Sequence, residues 1–399
     1  MHKLYEKQKA LVNSTPLIFK RSLSQKIDWN QRLISIRGAR GTGKTTLLLQ
    51  HIKTNYQNDD SLLYASLDNI WFSGHELSEL IDDFVKTGGR TIVLDEVHKY
   101  KNWSEEIKNA YDNYPELKII FTGSSLLRLT NAPADLTRRV ASYRIQGLSF
   151  REFIEYETGK TFPVLTAAEI FRSHKSLSET VIERLRHPIG IFRQYLRTGY
   201  YPFYKDSGDL YHDRINDIIS HIIEAELPAL RRVNPAKCLT IKKLLYLVSE
   251  SAPYNPNIDE LERQIKADKN TVVHYINFLS EADLLKKFYL KDRYESTLKK
   301  PDMLQLENTN IAWAIPSLKP TQRQLCLTFL ANQLSYENKI SVTRDFEIIM
   351  EDRLLALPDS GKGGKPAIGN DNLTRYNVIE DLEYGHGNTI PLWLFGFLY

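Results

Sequence analysis

The sequence has few of the residues that mark secreted, membrane-spanning or metal-clustering proteins. Its only two cysteines, Cys238 and Cys326, lie far apart and form no CxxC spacing, so neither a disulfide framework nor a cysteine metal site is expected. No run approaches the roughly 18 apolar residues of a membrane span. The start, MHKLYEKQKALV, lacks the apolar core of a signal peptide. We therefore expect a cytoplasmic protein without membrane contact.

Charge of one sign is not in large excess either. The formal net charge of +4 permits contact with nucleic acid without requiring it. The chain has 399 residues, of which 42% are hydrophobic and 26% charged, which is typical of globular proteins. Its length predicts two or three domains. The apolar end, 391–399, is too short to cross a bilayer and is expected to be a buried strand or helix end.

Apolar runs alternate with amphipathic stretches through the first 150 residues. This alternation is typical of a parallel sheet covered by helices. The predicted strands are 33–37, 62–66, 91–94, 118–122 and 141–145. The predicted helices are 44–55, 75–86 and 104–113. The sequence therefore predicts an α/β fold for this region, an αβα sandwich with a parallel sheet.

A glycine-rich segment, GARGTGKTT (Gly38–Thr46), fits the phosphate-loop pattern GxxxxGK[ST] and lies between a predicted strand and a predicted helix. Its glycines allow successive backbone amides to point at phosphates, and the helix N-terminus adds its dipole. Lys44 is then expected to bridge the β- and γ-phosphates, with the Thr45 hydroxyl as a magnesium ligand. The predicted nucleotide-binding residues are Gly38, Arg40, Gly41, Thr42, Gly43, Lys44, Thr45 and Thr46.

Two carboxylates, Asp95 and Glu96, end the apolar run TIVL. At the carboxyl end of a parallel strand, where α/β sheets bind ligands, Asp95 would be a magnesium ligand together with Thr45. Glu96 would orient or deprotonate the attacking water. The nearby His98 is interpreted as a structural residue. The predicted cofactors are ATP and Mg²⁺, and the absence of an Asn-Lys-x-Asp guanine motif favours ATP over GTP.

Two further site predictions leave alternatives open. Ser124 follows the predicted strand 118–122, and its hydroxyl would either contact the γ-phosphate or belong to an ordinary serine-rich turn. Arg138 and Arg139 precede the last strand of the sheet. An arginine that reaches the γ-phosphate would stabilise transition-state charge, but arginines are also common on solvated surfaces.

Helical patterns dominate the region after residue 150. Helices at 239–251, 258–266 and 269–282, followed by a strand at 284–290, outline a winged helix. If it reads DNA, its contacts would come from Lys266, Lys269, Asn270, Thr271 and His274. Acidic residues in the same segment favour the alternative, in which the module packs against the nucleotide-binding domain.

Several of these segments together resemble a large group of bacterial and archaeal AAA-like ATPases related to the STAND-type signalling ATPases. They are GARGTGKTTLLLQ, IVLDEVHKYKNW, IIFTGSSLLRL, LTRRV (136–140) and GLSFREF, and the resemblance continues through GYYPFY, KPDMLQLENTN and EYGHGNTIPLWLFGFLY. It implies ATP binding at Gly43, Lys44 and Thr45, an acidic pair at Asp95 and Glu96, and sensor and arginine residues at Ser124 and Arg139. The family's Leu-Ala-Gly-Arg element has glycine where this chain has Arg138.

The same resemblance implies a C-terminal domain with a restriction-endonuclease-like outline. A nuclease of that outline needs a helix glutamate, an aspartate and a Glu-x-Lys pair to hold magnesium and activate water. Here Leu327 occupies the helix-acid position, Asp345 remains as the strand acid, and 354–365 has no Glu-x-Lys pair. We therefore expect no DNA cleavage.

These observations predict four regions and one principal function. The regions are an AAA-like ATPase domain at 1–150, a helical connection at 151–235, a winged helix at 236–299 and an endonuclease-like α+β domain at 300–399. The predicted function is that of an ATP-binding protein and magnesium-dependent ATPase that acts as a nucleotide-driven conformational switch. The alternative is a non-hydrolysing, nucleotide-stabilised module that binds DNA or protein.

Overall fold

The structure is a computed structural model, and it describes residues 1–56, 59–127, 138–291, 300–315, 319–358 and 373–399. It divides the chain into two compact units, Met1–Gly147 and Leu148–Tyr399. The first unit ends close to the predicted boundary at 150. The further predicted boundaries, at 235 and 299, fall inside the second unit and stay predictions.

The first unit contains a five-stranded, fully parallel sheet in the order β2-β3-β4-β1-β5. Its strands are β1 (Leu33–Gly38), β2 (Leu62–Ser66), β3 (Thr91–Asp95), β4 (Lys118–Ser124) and β5 (Ala141–Arg144). Its described α-helices are His2–Ser14, Leu23–Lys26, Lys44–Asn55, Leu77–Lys86 and Trp103–Asn113. This is the α/β fold of a P-loop NTPase, as predicted.

Successive side chains of each strand point to opposite faces of the sheet, and both faces are covered by apolar clusters. In β1, Leu33 belongs to one apolar cluster, whereas Ile34 and Ile36 belong to another. In β4 the same division separates Phe121 from Ile120. Continuous apolar runs are therefore needed in these strands, because both faces are buried.

The strand order decides which loops meet. Since β4 pairs with both β1 and β3, its carboxyl end lies between the ends of those two strands. The observed strands begin at the predicted residues and end within two residues of the predicted ends. The helices His2–Ser14 and Leu23–Lys26 were not predicted, because neither carries a strong start or stop signal.

The second unit begins with helices. They are Phe150–Thr158, Ala167–Leu185, Pro188–Thr198, Tyr211–His221 and Leu227–Arg231, with a π-helical turn at Ile222–Glu226. The first two begin with capping boxes, Ser149 with Glu152 and Thr166 with Glu169, in which each side chain satisfies a backbone amide.

Three helices and two short strands follow. The helices are Cys238–Ser251, Ile258–Ile265 and Lys269–Glu281, and the antiparallel strands are β6 (Leu285–Phe288) and β7 (Met303–Leu306). Tyr254, between the first two helices, forms a bridge with Leu304 of β7. The predicted helices of this region are present, and the predicted strand at 284–290 is shortened to β6.

The chain ends in a mixed sheet that gives the second unit its α+β character. Its order is β12-β11-β10-β9-β8, with strands β8 (Ile340–Val342), β9 (Ile348–Met350), β10 (Arg353–Ala356), β11 (Thr374–Ile379) and β12 (Thr389–Pro391). β8, β9 and β10 pair antiparallel, whereas β10, β11 and β12 pair parallel.

The helix Gln322–Leu334 and the terminal 3₁₀ helix Leu392–Phe397 share one apolar core with this sheet. Trp393, Phe395 and Phe397 are almost completely buried in that core, so the prediction of a buried terminal segment is confirmed. Among the described helices, none has both the length and the apolarity needed to cross a bilayer.

Candidate nucleotide-binding site

The glycine-rich loop leaves β1 at Gly38 and enters the helix Lys44–Asn55. Gly41 and Gly43 have φ values of 84° and 93°, in the left-handed region that residues other than glycine rarely adopt. These two turns bend the loop back over the helix N-terminus, whose first amides have no partner within the helix. The loop and helix therefore form a ready site for anions such as phosphate.

Gly38 is required for close packing rather than for its φ angle. A Cβ atom at this position would lie 2.2 Å from the carbonyl oxygen of Ile145, just after β5. Lys44 is 5% exposed, and its Nζ donates to the carbonyl oxygens of Gly38 at 2.9 Å and Ala39 at 3.0 Å. The lysine is thus held against the loop by neutral acceptors, which a phosphate group could replace.

Asp95, at the end of β3, is the centre of a hydrogen-bonded cluster and is 2% exposed. Its Oδ2 accepts from the Thr45 hydroxyl at 2.7 Å and from the Tyr64 hydroxyl at 2.9 Å. Its Oδ1 accepts from the Thr122 hydroxyl and, at 3.1 Å, from the backbone amide of Glu96. A hydroxyl and a carboxylate in contact are oxygen ligands of the kind that Mg²⁺ takes, so the residues present fit that ion.

The Tyr64 phenol is suited to remain a donor in this cluster. Burial, reinforced by the neighbouring Asp95 carboxylate, raises the pKa of Tyr64 far above its usual value. The phenol therefore keeps its proton at physiological pH and continues to orient Asp95.

Glu96 follows Asp95 in a left-handed conformation, with φ of 55°. Its amide also donates to the Thr122 hydroxyl at 3.0 Å. A side chain is seldom found in this backbone region outside turns and functional sites, because the conformation carries strain. The bend turns the chain away from the sheet directly after the acidic pair.

Ser124 ends β4 and pairs in register with Gly38, the first residue of the phosphate loop. It is 5% exposed, and its hydroxyl accepts from the amide of Leu126 at 3.3 Å. The structure therefore brings together five of the predicted residues at one edge of the sheet: Lys44, Thr45, Asp95, Glu96 and Ser124.

Arg139 is not brought to this edge. It forms an ion pair with Asp112 and lies over the ring of Tyr111, with 5.5 Å to its centroid. Arg32, which precedes β1, stacks on the same ring and donates to the carbonyl oxygen of Tyr111 at 2.6 Å. Arg139 thus lies at the amino edge of the parallel sheet, opposite the phosphate loop. Leu136 and Thr137, the first two residues of the LTRRV element, lie outside the described residues.

Three residues of this region escaped the sequence analysis. Tyr64 and Thr122 lie within apolar strands and were given no role, although Thr122 belongs to the segment IIFTGSSLLRL. A hydroxyl inside a strand buried on both faces is a signal that it needs a partner. The guanidinium of Arg21 donates to the carbonyl oxygens of Thr42 at 2.6 Å, Gln146 at 2.8 Å and Gly147 at 2.9 Å. No local signal at Arg21 predicts that it supports the phosphate loop.

The residues predicted to contact DNA lie on one helix and the turn before it, Lys266 and Lys269–Glu281. Lys266, Asn270 and His274 are exposed. Lys269 pairs with the Asp259 carboxylate, and Thr271 donates to Asp268, the N-cap residue of the helix. Two of the five candidates are therefore already engaged in local contacts.

The structure places the predicted nuclease positions on different elements of the C-terminal region. Leu327 is buried in its helix, and Asp345 is exposed in the turn between β8 and β9. Residues 354–358 belong to β10 and the segment after it, whereas 359–365 lie outside the described residues.

Comparison with known families supports the assignment of the first unit. Residues 30–154 match the model of a family described as an AAA domain, and residues 189–303 match a domain of unknown function, DUF8612. The predicted resemblance to AAA-like ATPases is thereby confirmed for the first of these segments. No curated protein matches the chain.

Solved structures with some similarity include replication initiators. DnaA bound to AMPPCP and single-stranded DNA is 16% identical, with a TM-score of 0.28 and coverage of 69% of this chain and 87% of that chain. AMPPCP-bound DnaA from Aquifex aeolicus is 15% identical, with a TM-score of 0.25 and the same coverages. Similarity at this level carries no information about ligands or partners.

Proposed function

We propose that the first unit binds ATP with magnesium and hydrolyses it, and that its nucleotide state acts as a conformational switch for the chain. The observation that carries this proposal is the meeting of the phosphate loop with Thr45, Asp95, Glu96 and Ser124 at the carboxyl edge of one parallel sheet. The AAA-domain match of residues 30–154 supports it.

Each residue has a proposed task. Bound magnesium and ATP supply the phosphoanhydride bond that breaks and a cation that neutralises phosphate charge. Thr45 and Asp95 would hold the cation, and Tyr64 and Thr122 would keep Asp95 oriented. Lys44 would bind phosphate oxygens in exchange for its loop carbonyls.

Glu96 would orient a water molecule, or accept its proton, as water attacks the terminal phosphate. Ser124, in register with Gly38, would contact that phosphate from β4. Arg139 is left out of the proposed machinery, because its contacts with Asp112 and Tyr111 lie at the opposite edge of the sheet.

The test is magnesium-dependent ATP turnover by the full chain and by Glu96→Gln, with nucleotide binding measured for both. We expect the variant to bind ATP as the wild type does and to lose about 100-fold or more in turnover, because general base catalysis typically contributes that much. Glu105→Gln, a change at an exposed glutamate of the helix Trp103–Asn113, serves as the matched control and should hydrolyse normally.

Equal binding with no turnover by either protein, even with DNA added, would reject the enzymatic proposal. The chain would then be a nucleotide-stabilised binding module, which is the alternative that the sequence left open.

For the second unit we propose the predicted division at 236–299 and 300–399. A winged helix for the first part is supported by its order of elements: helix, the Tyr254 bridge, two helices and β6, whose antiparallel partner β7 (Met303–Leu306) extends this hairpin a few residues beyond 299. An endonuclease-like outline for the second part is supported by a helix followed by three antiparallel strands and then by parallel β11.

A further inference from the structure

His98 is a buried histidine to which the proposed chemistry assigns no task. It lies in the single 3₁₀ turn Val97–Lys99 that directly follows Glu96, and its side chain is 2% exposed. A buried imidazole needs partners for its two ring nitrogens, because an unpaired polar group away from water is costly. Because His98 lies between the acidic pair and β4, its partners show which of these two parts of the site the ring contacts.

The contacts of the ring identify its tautomer. The backbone amide of Ser124 donates to Nδ1 of His98 at 3.3 Å, so Nδ1 acts as an acceptor. The proton of the neutral ring must then be on Nε2. That nitrogen lies 3.4 Å from Oε2 of Glu96, close enough for an electrostatic contact but without the angle of a formed hydrogen bond.

The same backbone unit of β4 therefore lies beside two parts of the site. Ser124 pairs in register with Gly38 at the start of the phosphate loop, and its amide contacts His98. A displacement at the end of β4 would be transmitted to Glu96 through one imidazole ring. At 3.4 Å the contact with Glu96 is longer than a good hydrogen bond, and catalytic hydrogen bonds commonly shorten when the reacting groups assemble.

We propose that His98 is a positioning residue that holds the Glu96 carboxylate and couples its orientation to the end of β4 at Ser124. This inference rests on the proposed function, in which Glu96 acts on the attacking water. The left-handed backbone at Glu96 supports it, since strained conformations concentrate where a side chain must be aimed. A purely structural histidine would fill space below the turn without acting through Glu96.

ATP turnover by two variants distinguishes a histidine that positions Glu96 from one that only fills space. His98→Leu removes both polar contacts, and we expect kcat to fall about 10–100-fold, as for other residues that orient a catalytic group, with nucleotide affinity little changed. His98→Gln keeps one acceptor and one donor in its amide and should recover much of the lost rate. His75→Leu, at an exposed histidine that stacks on Trp71, is the matched control and should be as active as the wild type.

A double substitution tests whether His98 acts through Glu96. If it does, adding His98→Leu to Glu96→Gln lowers turnover no further, because residues that act as a unit are not additive. Additive losses, wild-type turnover in His98→Leu, or weakened nucleotide binding that His98→Gln does not restore would each overturn the inference.

A measurement that does not depend on ATP hydrolysis tests the contact between His98 and Glu96 separately from the proposed function. Nitrogen NMR of ¹⁵N-histidine-labelled full-length protein should show His98, assigned by its loss in His98→Gln, with its proton on Nε2 and with signals that shift in Glu96→Gln. If these hold but the wild type does not hydrolyse ATP, the proposed function fails and the positioning contact stands. If the wild type hydrolyses ATP and the His98 signals do not shift in Glu96→Gln, only this inference fails.

Discussion

A buried carboxylate, Asp95, and a half-buried one, Glu347, differ in the groups that donate to them. Asp95 of the parallel sheet accepts from the hydroxyls of Thr45, Tyr64 and Thr122 and from a backbone amide. Glu347, next to β9 of the mixed sheet, instead accepts from the Arg375 guanidinium at 2.7 and 3.4 Å.

The difference teaches what each carboxylate is suited for. Neutral donors orient Asp95 without compensating its charge, so the charge can attract a cation. Arg375 compensates the charge of Glu347 through two parallel bonds, which favours a fixed structural contact. Sequence alone does not distinguish the two, since both are acidic residues beside apolar strands.

The largest expected effect comes from exchanging the charge of Asp95 for an amide. Asp95→Asn should lower magnesium-dependent turnover by about 100-fold or more, the scale typical of removing one electrostatic group from an active site. The reason is that an amide keeps the shape but not the charge that would hold magnesium. Steady-state ATP hydrolysis across a magnesium titration measures this.

Glu347→Gln is the matched exchange in the mixed sheet. It should leave turnover unchanged and lower the free energy of unfolding by about 1–2 kcal/mol, between the values for exposed and buried ion pairs. A reduction of ATP hydrolysis by Glu347→Gln, and not by Asp95→Asn, would contradict the assignment of cation binding to Asp95 and of a structural contact to Glu347.

A smaller effect is expected from Tyr64→Phe, which removes one hydroxyl donor to Asp95 and leaves Thr45 and Thr122. Turnover should fall roughly 5–30-fold, since a hydrogen bond to a charged group contributes on the order of 1–2 kcal/mol. The control is Tyr143→Phe, on β5 of the same sheet, whose hydroxyl accepts from the Asp28 amide at 2.9 Å. Equal activity of both variants in a turnover assay would show that the Tyr64 hydroxyl does not support Asp95.

The smallest effect is expected at Glu380, a buried carboxylate just after β11. Gln322 and the Cys326 thiol both donate to its Oε2, the thiol at 3.2 Å. Burial, followed by the charge of Glu380, raises the pKa of Cys326 well above its ordinary value. Glu380→Gln should therefore lower that pKa and speed alkylation of Cys326 several-fold at most, without changing ATP turnover.

Cysteine alkylation in a Cys238→Ser background isolates the Cys326 signal. An unchanged rate at all pH values would show that burial alone, without the carboxylate, suppresses the thiol. A loss of ATP turnover in Glu380→Gln would contradict the expectation that Glu380 takes no part in ATP hydrolysis.

Much of the first unit was predictable because its signals are local. The glycines and Lys44 of the phosphate loop, and the apolar runs that end in Asp95 and Ser124, each depend on neighbours in sequence. An α+β region was expected at 300–399, but the individual strands of its mixed sheet were not predicted, because β8, β9 and β12 have only three residues each, too few to show a period of two.

The sequence by itself determined the parallel α/β fold of the first unit, the phosphate loop and the acidic pair at Asp95 and Glu96. Only the tertiary structure decided which side chains serve that pair and that Arg139 lies away from it. The physical reason is that strand order, with β3 between β2 and β4, brings Tyr64 and Thr122 to Asp95, and the amide of Ser124 to His98, although these partners are far apart in sequence. The preference of a segment for helix or strand does not indicate those contacts.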